Sequence, residues 1–315
     1  FWKLFKDNYI TREDIRYIKS TGMNSIRVPF HYKLFTDEDY MGLHAQQDGF
    51  QRLDSVVEWC RESGLYIILD MHDAPGGQTG DNIDDSYGYP WLLVSEQSQQ
   101  RVVEIWQKIA EHYAHEPVIL GYDLLNEPIA TYFSKEFDLL NPMLEPLYKK
   151  AVAAIREVDK YHIVVLGGAQ WNGNFKLFTD ATFDDKIMYT CHRYWSDTLQ
   201  ANIQDFVDFR DSVNLPMYMG ETGENSDQWI AAWTRLMEKN NIGYHYWPYK
   251  RMGNPSSMLN IATPENWDSI VAFTQHQRLH FGEIRNVRPD QEMVRKALLD
   301  LIENCKFENC TKNEG

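Results

Sequence analysis

The residues most able to do chemistry are two glutamates, each placed where an apolar run of the chain ends. Glu127 belongs to an Asn-Glu-Pro triplet that follows the run 119–125, and Glu221 directly follows the run 217–220. A carboxyl group at the end of a buried strand loses water, which raises its pKa and suits it to act as a general acid. A second carboxylate close by can act as a nucleophile. The two glutamates therefore predict an acid and nucleophile pair, of the kind that can flank one glycosidic bond.

Other polar or aromatic residues stand at the ends of further apolar runs: Arg27, His72, Asn126, His192, Tyr194 and Trp247. Each has an ordinary structural explanation when taken alone. A glutamate before proline can start a helix, Arg27 can serve a buried ion pair, and His192 can be a core histidine with its hydrogen bonds satisfied. Their recurrence in order, at one strand end after another, favours a shared site.

The elements that must position these residues alternate along the chain. Strand candidates are residues 25–29, 66–71, 119–125, 162–167, 187–192, 217–220 and 243–247. Helix candidates are residues 11–20, 54–63, 100–114, 144–158, 229–240 and 293–304. Most strand candidates are continuous apolar runs, as in a parallel sheet covered on both faces. The alternation predicts a parallel sheet, open or closed, and in a barrel the active site lies at the C-terminal ends of the strands.

The ordered set of residues resembles glycoside hydrolase family 5, a cellulase-like family with catalytic glutamates after its fourth and seventh barrel strands. The resemblance covers residues 11 to about 304 and implies a (β/α)8 TIM barrel. Seven strand candidates are visible where the family has eight. The first strand is therefore expected either upstream of Phe1 or at an unrecognised position. We expect one catalytic barrel domain over residues 1–315.

The resemblance implies a role for each residue around the scissile bond. Glu127 would be the acid/base, and Glu221 the nucleophile that forms a glycosyl-enzyme. Asn126 would hydrogen-bond the 2-hydroxyl of the sugar. Tyr194 would donate to Glu221, and Arg27 would also hold Glu221 ionised.

Further side chains would shape the cleft. The resemblance implies that His192 sits near Glu127 and helps to cycle its proton, that His72 binds sugar hydroxyls, and that Trp247 forms the floor beneath that sugar. Trp171 and Trp195 lie in loops on the same face and are candidates for stacking on further sugars. Packing of the loops is the alternative explanation for both.

The composition narrows the classes of partner. The formal net charge is −15 and the pI is about 5.1, which disfavours nucleic acid and anionic membranes. A neutral β-linked oligosaccharide or polysaccharide suits this field better. No apolar run approaches the ~20 residues of a membrane span. We expect a monomeric, secreted or periplasmic protein that needs neither a cofactor nor a metal.

Several readings stay open at this point. The leading one is retaining cleavage inside a β-glucan, and an exo-acting β-glucanase or β-glucosidase of the same family is the alternative. Two alternatives come from other functional classes. One is a non-catalytic sugar-binding barrel, and the other is a metal-dependent hydrolase that uses His72, Asp73 and His192. Among four cysteines, Cys305 and Cys310 could form a disulfide near the C-terminus.

Overall fold

A seven-stranded parallel sheet is the main feature of the chain. The computed structural model describes residues 1–36, 48–276 and 279–313, together with the backbone of 39–40 and 43–44. The sheet's strands are hydrogen-bonded in the order in which they occur in the sequence. They are β1 Ser25–His31, β2 Tyr66–Asp73, β3 Ile119–Asp123, β4 Ile163–Gly167, β5 Ile187–His192, β6 Met217–Gly223 and β7 Gly243–Trp247.

All seven predicted strands are confirmed, with ends that differ by up to three residues. The strand pairs from β1–β2 to β5–β6 are parallel, so the C-terminal ends of these strands lie along one edge. Within the described residues no further strand joins this sheet. The first strand of the expected eight-stranded barrel stays a prediction.

Helices separate the strands, except for β4 and β5, between which lies only the short turn Ala169–Asn172. Their bounds are α1 Trp2–Tyr9, α2 Arg12–Ser20, α3 Gly49–Ser63, α4 Glu96–Tyr113, α5 Phe137–Val158, α6 Gln204–Val213, α7 Asp227–Lys239, α8 Trp267–Gln275, α9 Phe281–Val287 and α10 Gln291–Asn304. The six predicted helices are all present. The periodicity of the sequence missed the others, since their apolar residues are few or the helices are short.

Polar side chains fix where several helices begin. The Ser95 hydroxyl accepts from the Ser98 N–H at 3.2 Å at the start of α4, and Asp290 does the same for Met293 at 2.9 Å at the start of α10. α5 begins at Phe137 rather than at the predicted residue 144, although it contains two prolines. Each proline removes one backbone donor, and the buried apolar face of the helix outweighs that loss.

The chain divides into two compact units, Lys19–Tyr246 and the paired segments Phe1–Ile18 and Trp247–Gly315. The larger unit holds the helices α3 to α7 and nearly all of the parallel sheet. In the smaller unit, the buried Lys250 ammonium lies 2.5 Å from Asp14 Oδ1 and joins the two segments. The expected single domain stays a prediction. None of the helices in the described part of the chain is long and apolar enough to cross a membrane.

All four cysteines are free thiols, and Cys60, Cys191 and Cys305 are buried. The disulfide that Cys305 and Cys310 could form is therefore absent from the structure. Burial raises the pKa of the Cys60 thiol to about 12, which leaves it unreactive.

Candidate active site

Arg27 on β1 is the hub of a buried network of acidic side chains. Its Nη1 donates to Glu221 Oε1 at 2.6 Å, and its Nε donates to Asp123 Oδ2 at 2.9 Å. Its Nη2 lies 2.9 Å from Asp70 Oδ1 and donates to Asn126 Oδ1 at 3.0 Å. The guanidinium is 4% exposed, so these partners replace its water. Because each of its three nitrogens has a partner, the planar guanidinium group is held in one orientation.

Glu221 lies in β6 and receives a donor on each carboxylate oxygen. Arg27 occupies Oε1, and the Tyr194 hydroxyl donates to Oε2 at 2.9 Å. Burial, followed by the Glu221 carboxylate, raises the pKa of Tyr194 well above its usual range, so the phenol keeps its proton. A register shift between β5 and β6 places His192 opposite Glu221, with 3.9 Å between His192 Nδ1 and Oε2.

Glu127 follows β3 and has a different environment. Its backbone has a φ of 44°, and the Thr79 hydroxyl donates to its carbonyl oxygen at 2.9 Å. Its Oε1 lies 2.9 Å from His192 Nδ1. Burial raises the pKa of Glu127 to about 7, against the lowering effects of His72 and Arg27. A carboxyl group of this kind keeps its proton below neutral pH and can serve as an acid.

The first sugar-binding candidates, His72 and Asn126, adjoin this pair. His72 Nδ1 lies 2.8 Å from Asp70 Oδ2 and 4.0 Å from Glu221 Oε1. Burial disfavours a charged imidazole, but the Asp70 carboxylate outweighs it and raises the pKa of His72 to about 9. Asn126 Nδ2 lies 3.4 Å from His72 Nε2. The structure thus brings together Arg27, His72, Asn126, Glu127, His192, Tyr194 and Glu221.

The three tryptophans of the expected site are less closely connected to the two glutamates than the residues above. Trp195 follows Tyr194, is 71% exposed and has its ring centroid 5.3 Å from that of Tyr194. Trp171 is partly buried, and its indole N–H donates to Thr131 Oγ1 at 3.3 Å. Trp247 is the last residue of β7 and the first of the second segment of the smaller unit. Sugar stacking by these three rings stays a prediction.

The family of the chain follows from its similarity to known proteins. Residues 2–253 match the family model for cellulase, glycosyl hydrolase family 5. The chain belongs to glycosyl hydrolase family 5. Of its two candidate catalytic glutamates, Glu127 follows β3 and Glu221 lies in β6.

Two curated relatives illustrate the range of the family. A β-xylosidase of Phanerodontia chrysosporium is 34% identical over 196 residues, which are 62% of this chain and 39% of that protein. Endoglucanase C of Acetivibrio thermocellus is 27% identical over an alignment of 316 positions, which covers 80% of this chain and 87% of that protein. This chain therefore aligns with well under half of the first relative and with most of the second.

A solved structure supports the fold. Thermotoga maritima Cel5A, crystallised with mannotriose, superposes with a TM-score of 0.60 at 20% identity, covering 76% of this chain and 83% of that one. The predicted TIM-barrel class is confirmed, as a nearly closed barrel of seven parallel strands with surrounding helices.

Two groups of side chains have the composition of a metal site. They are Asp70, His72 and Glu221, and Glu127, His192 and Glu221, each with ligand atoms within 4.8 Å of one another. Both groups depend on Glu221, whose two oxygens already accept from Arg27 and Tyr194. A metal ion would have to displace a guanidinium cation. The donor set therefore fits a nucleophile better than it fits a metal ligand.

Several residues that build the site were not recognised from the sequence. Asp70 and Asp123 were detectable, because each places a charge in an otherwise apolar strand. Burial raises the pKa of Asp123 to about 7 despite the adjacent Arg27 cation. Gln78, Thr79 and Asn172 gave no signal, because polar residues in loops are ordinary. Gln78 Nε2 in fact donates to the carbonyl of Asn126 at 2.9 Å, which braces the Asn-Glu-Pro segment.

Proposed function

We propose that the chain is a retaining glycoside hydrolase that cleaves β-glucosidic bonds within a β-glucan. The spacing of the two glutamates carries this proposal: one carboxylate oxygen of Glu127 lies within 4.8 Å of one of Glu221. Retaining enzymes hold the two carboxyl groups ~5 Å apart, whereas inverting enzymes need ~6.5–9.5 Å to admit a water molecule. A separation this short leaves Glu221 to attack the sugar itself.

The first step uses the two different environments. Protonated Glu127 gives its proton to the glycosidic oxygen while the bond from that oxygen to C1 breaks. Glu221 attacks C1 from the opposite face and forms a glycosyl ester. Arg27 and Tyr194 orient the attacking carboxylate by holding one oxygen each.

The second step reverses the role of Glu127. As a carboxylate, Glu127 takes a proton from water while the water oxygen bonds to C1 and the ester bond to Glu221 breaks. Both glutamates return to their starting states. A pKa of about 7 lets the same group act as acid and then as base near neutral pH.

The similarity to endoglucanase C, over 87% of that protein, supports internal cleavage of a glucan chain. The named β-xylosidase relative keeps an exo-acting glycosidase as the alternative. We further propose that the protein is secreted or periplasmic and acts as a monomer on its β-linked substrate, without a cofactor. The same acidic charge that repels nucleic acid leaves neutral glucans unaffected.

The test is a product profile on barley mixed-linkage glucan, carboxymethyl-cellulose, laminarin and glucomannan. We expect short oligosaccharides early in the reaction, and none with the Glu221→Gln variant. The polymer that is cleaved would show which linkage the enzyme prefers. Glucose as the only early product would replace internal cleavage by the exo-acting alternative. If no β-glycoside, including aryl glycosides, gave a product, hydrolysis would be excluded and a non-catalytic sugar-binding barrel would be the remaining alternative.

A further inference from the structure

A strained turn follows β4 and has no assigned role in the mechanism above. Its residues Gln170, Trp171 and Asn172 have φ values of 51°, 62° and 56°. Residues other than glycine avoid this left-handed region, because their Cβ atom comes too close to the carbonyl oxygen. Three such residues in succession persist only where the surroundings hold them, and strain of this kind concentrates at functional sites.

The surroundings of this turn hold it from several sides. The Ala169 N–H donates to the Asn174 carbonyl at 2.9 Å, and the Gly173 N–H donates to the Ala169 carbonyl at 3.0 Å. The Gln170 amide donates to Asn141 Oδ1 at 2.9 Å and accepts from Asn174 Nδ2 at 2.7 Å. The turn is therefore a fixed part of the site.

The turn places the side chain of Asn172 in the interior, beneath His192. Asn172 is fully buried, and its Nδ2 lies 3.1 Å from His192 Nε2. Its Oδ1 lies against Gly167, 2.1 Å from where a Cβ on that glycine would be. A glycine Cα hydrogen points at this oxygen and is a weak donor, so the contact suits oxygen and not an NH2 group. The amide nitrogen is thus directed at the imidazole.

This direction decides which imidazole nitrogen carries hydrogen. An amide NH2 only donates, so Nε2 must present its lone pair. Burial lowers the pKa of His192 to about 3, which leaves one proton on the ring, at Nδ1. Nδ1 lies 2.9 Å from Glu127 Oε1. The charged and titratable groups that face this pair are Glu221, Arg27, Asp70, His72 and Tyr194.

We propose that Asn172 is a positioning residue that fixes the Nδ1–H tautomer of His192, so that His192 donates to Oε1 of Glu127 and leaves Oε2 to carry the catalytic proton. This inference rests on the proposed acid/base role of Glu127. In the first step Oε2 gives its proton to the glycosidic oxygen, and the Nδ1–H bond stabilises the carboxylate that results. In the second step Oε2 takes a proton from water, and the His192 proton stays on Nδ1 throughout.

The first experiment reads the tautomer directly, by nitrogen-15 NMR of histidine-labelled protein with the His192 signal assigned from its loss in His192→Gln. The resting enzyme is expected to show a protonated Nδ1 and a bare Nε2. The Asn172→Asp variant should move the proton to Nε2, because a carboxylate only accepts. A protonated Nε2 in the unmodified enzyme would overturn the inference. A protonated Nδ1 in a protein without glycosidase activity would support the tautomer assigned to His192 and refute the proposed function.

The second experiment measures kcat/KM against pH for Asn172→Gly. Glycine adopts the left-handed backbone without strain, so this change removes the side-chain amide and keeps the turn. The upper limb of the profile should move up by ~0.5–1 pH unit, because Glu127 loses a fixed donor to its charged form. Substrates with poor leaving groups should slow ~10-fold, and activated aryl glycosides less than ~3-fold. The matched control is Gln170→Gly in the same turn, which should leave the limb in place. Equal shifts in both variants, or none in either, would overturn the inference.

Discussion

At the scale of single residues, the two glutamates differ in what surrounds them rather than in type. Glu127 is buried beside a neutral histidine, and burial raises its pKa to about 7. Glu221 holds a cation on one oxygen and a phenol on the other. Environments that separate two carboxyl groups in this way assign the acid and the nucleophile.

The nucleophile assignment predicts the effect of Glu221→Gln. Turnover should fall by at least ~10³-fold, because an amide oxygen cannot form the glycosyl ester. Binding of a β-linked gluco-oligosaccharide, measured by titration calorimetry, should weaken less than ~10-fold. The matched control, Glu224→Gln three residues along, should keep its rate within ~3-fold. Full activity in the Glu221 variant would exclude the mechanism.

The acid assignment predicts the pH profile. Because the pKa of Glu127 is raised to about 7, its acid form disappears above that pH, and kcat/KM should fall on the alkaline side with a midpoint near 7. Glu127→Ala should slow substrates with poor leaving groups by ~10²–10⁴-fold and spare activated aryl glycosides in the first step. Stopped-flow rates on both substrate classes would measure this. Equal losses on the two classes would contradict the role.

At the scale of elements, a buried cluster joins the end of α5 to the start of β4. Asp159 accepts from the Tyr122 hydroxyl at 2.8 Å, from the Tyr161 N–H at 2.8 Å and from the His162 N–H at 3.1 Å. His162 Nδ1 also lies 2.5 Å from Asp159 Oδ2. The cluster sets the angle at which the chain leaves the helix and enters the sheet.

This cluster predicts how stability depends on pH. Burial would raise the pKa of Asp159, but its bonds from His162, Tyr161 and Tyr122 outweigh burial and lower it to about 2. The stabilisation is therefore complete above the unfolded pKa of ~3.9 and is lost as pH falls toward 2. Asp159→Asn should cost about 1–3 kcal/mol at pH 7, and the difference from the unmodified protein should shrink below pH ~4.

Urea unfolding at a series of pH values measures this loss. The control is Asp54→Asn, since Asp54 also pairs with a histidine and a tyrosine, His112 and Tyr113, but at an exposed position. That change should cost less than ~1 kcal/mol. A penalty for Asp159→Asn that does not vary with pH would show that the carboxylate charge plays no part.

At the scale of the whole molecule, the two ends of the chain come together in the smaller unit. Lys250 pairs with Asp14 and donates to the carbonyl oxygens of Tyr9 at 2.6 Å and Cys305 at 3.1 Å. Both charged side chains are 0% exposed. One ammonium group thus links α1 and α2 to the segment after β7 and to the end of α10.

This link predicts a large effect for Lys250→Met. Removing the ammonium leaves Asp14 buried without its cation, which should cost about 3–5 kcal/mol in the free energy of unfolding. Lys296→Met is the control, because Lys296 pairs with Glu265 and Asp300 at the surface, and its loss should cost less than ~1 kcal/mol. Thermal unfolding of both variants would compare them. Similar costs would mean that burial of the Lys250 pair does not matter.

The sequence by itself determined the family, the strands and the ordered set of polar strand ends. The reason is that these signals are local. A buried parallel strand needs a continuous apolar run, and a charge at its end is conspicuous against that background. Asn126, Glu127 and Glu221 could therefore be named before any coordinates, and so could Arg27.

Only the tertiary structure decided which of those residues share hydrogen bonds and what surrounds each. Arg27 lies 194 positions from Glu221 in the sequence, yet the two side chains are 2.6 Å apart. Asn172 gave no sequence signal, because its effect depends on a left-handed turn that brings a loop amide under His192. The direction of a hydrogen bond and the loss of water depend on which groups the fold brings together. The order of residues in the sequence therefore indicates which residues form the site, and their packing determines which of them are protonated.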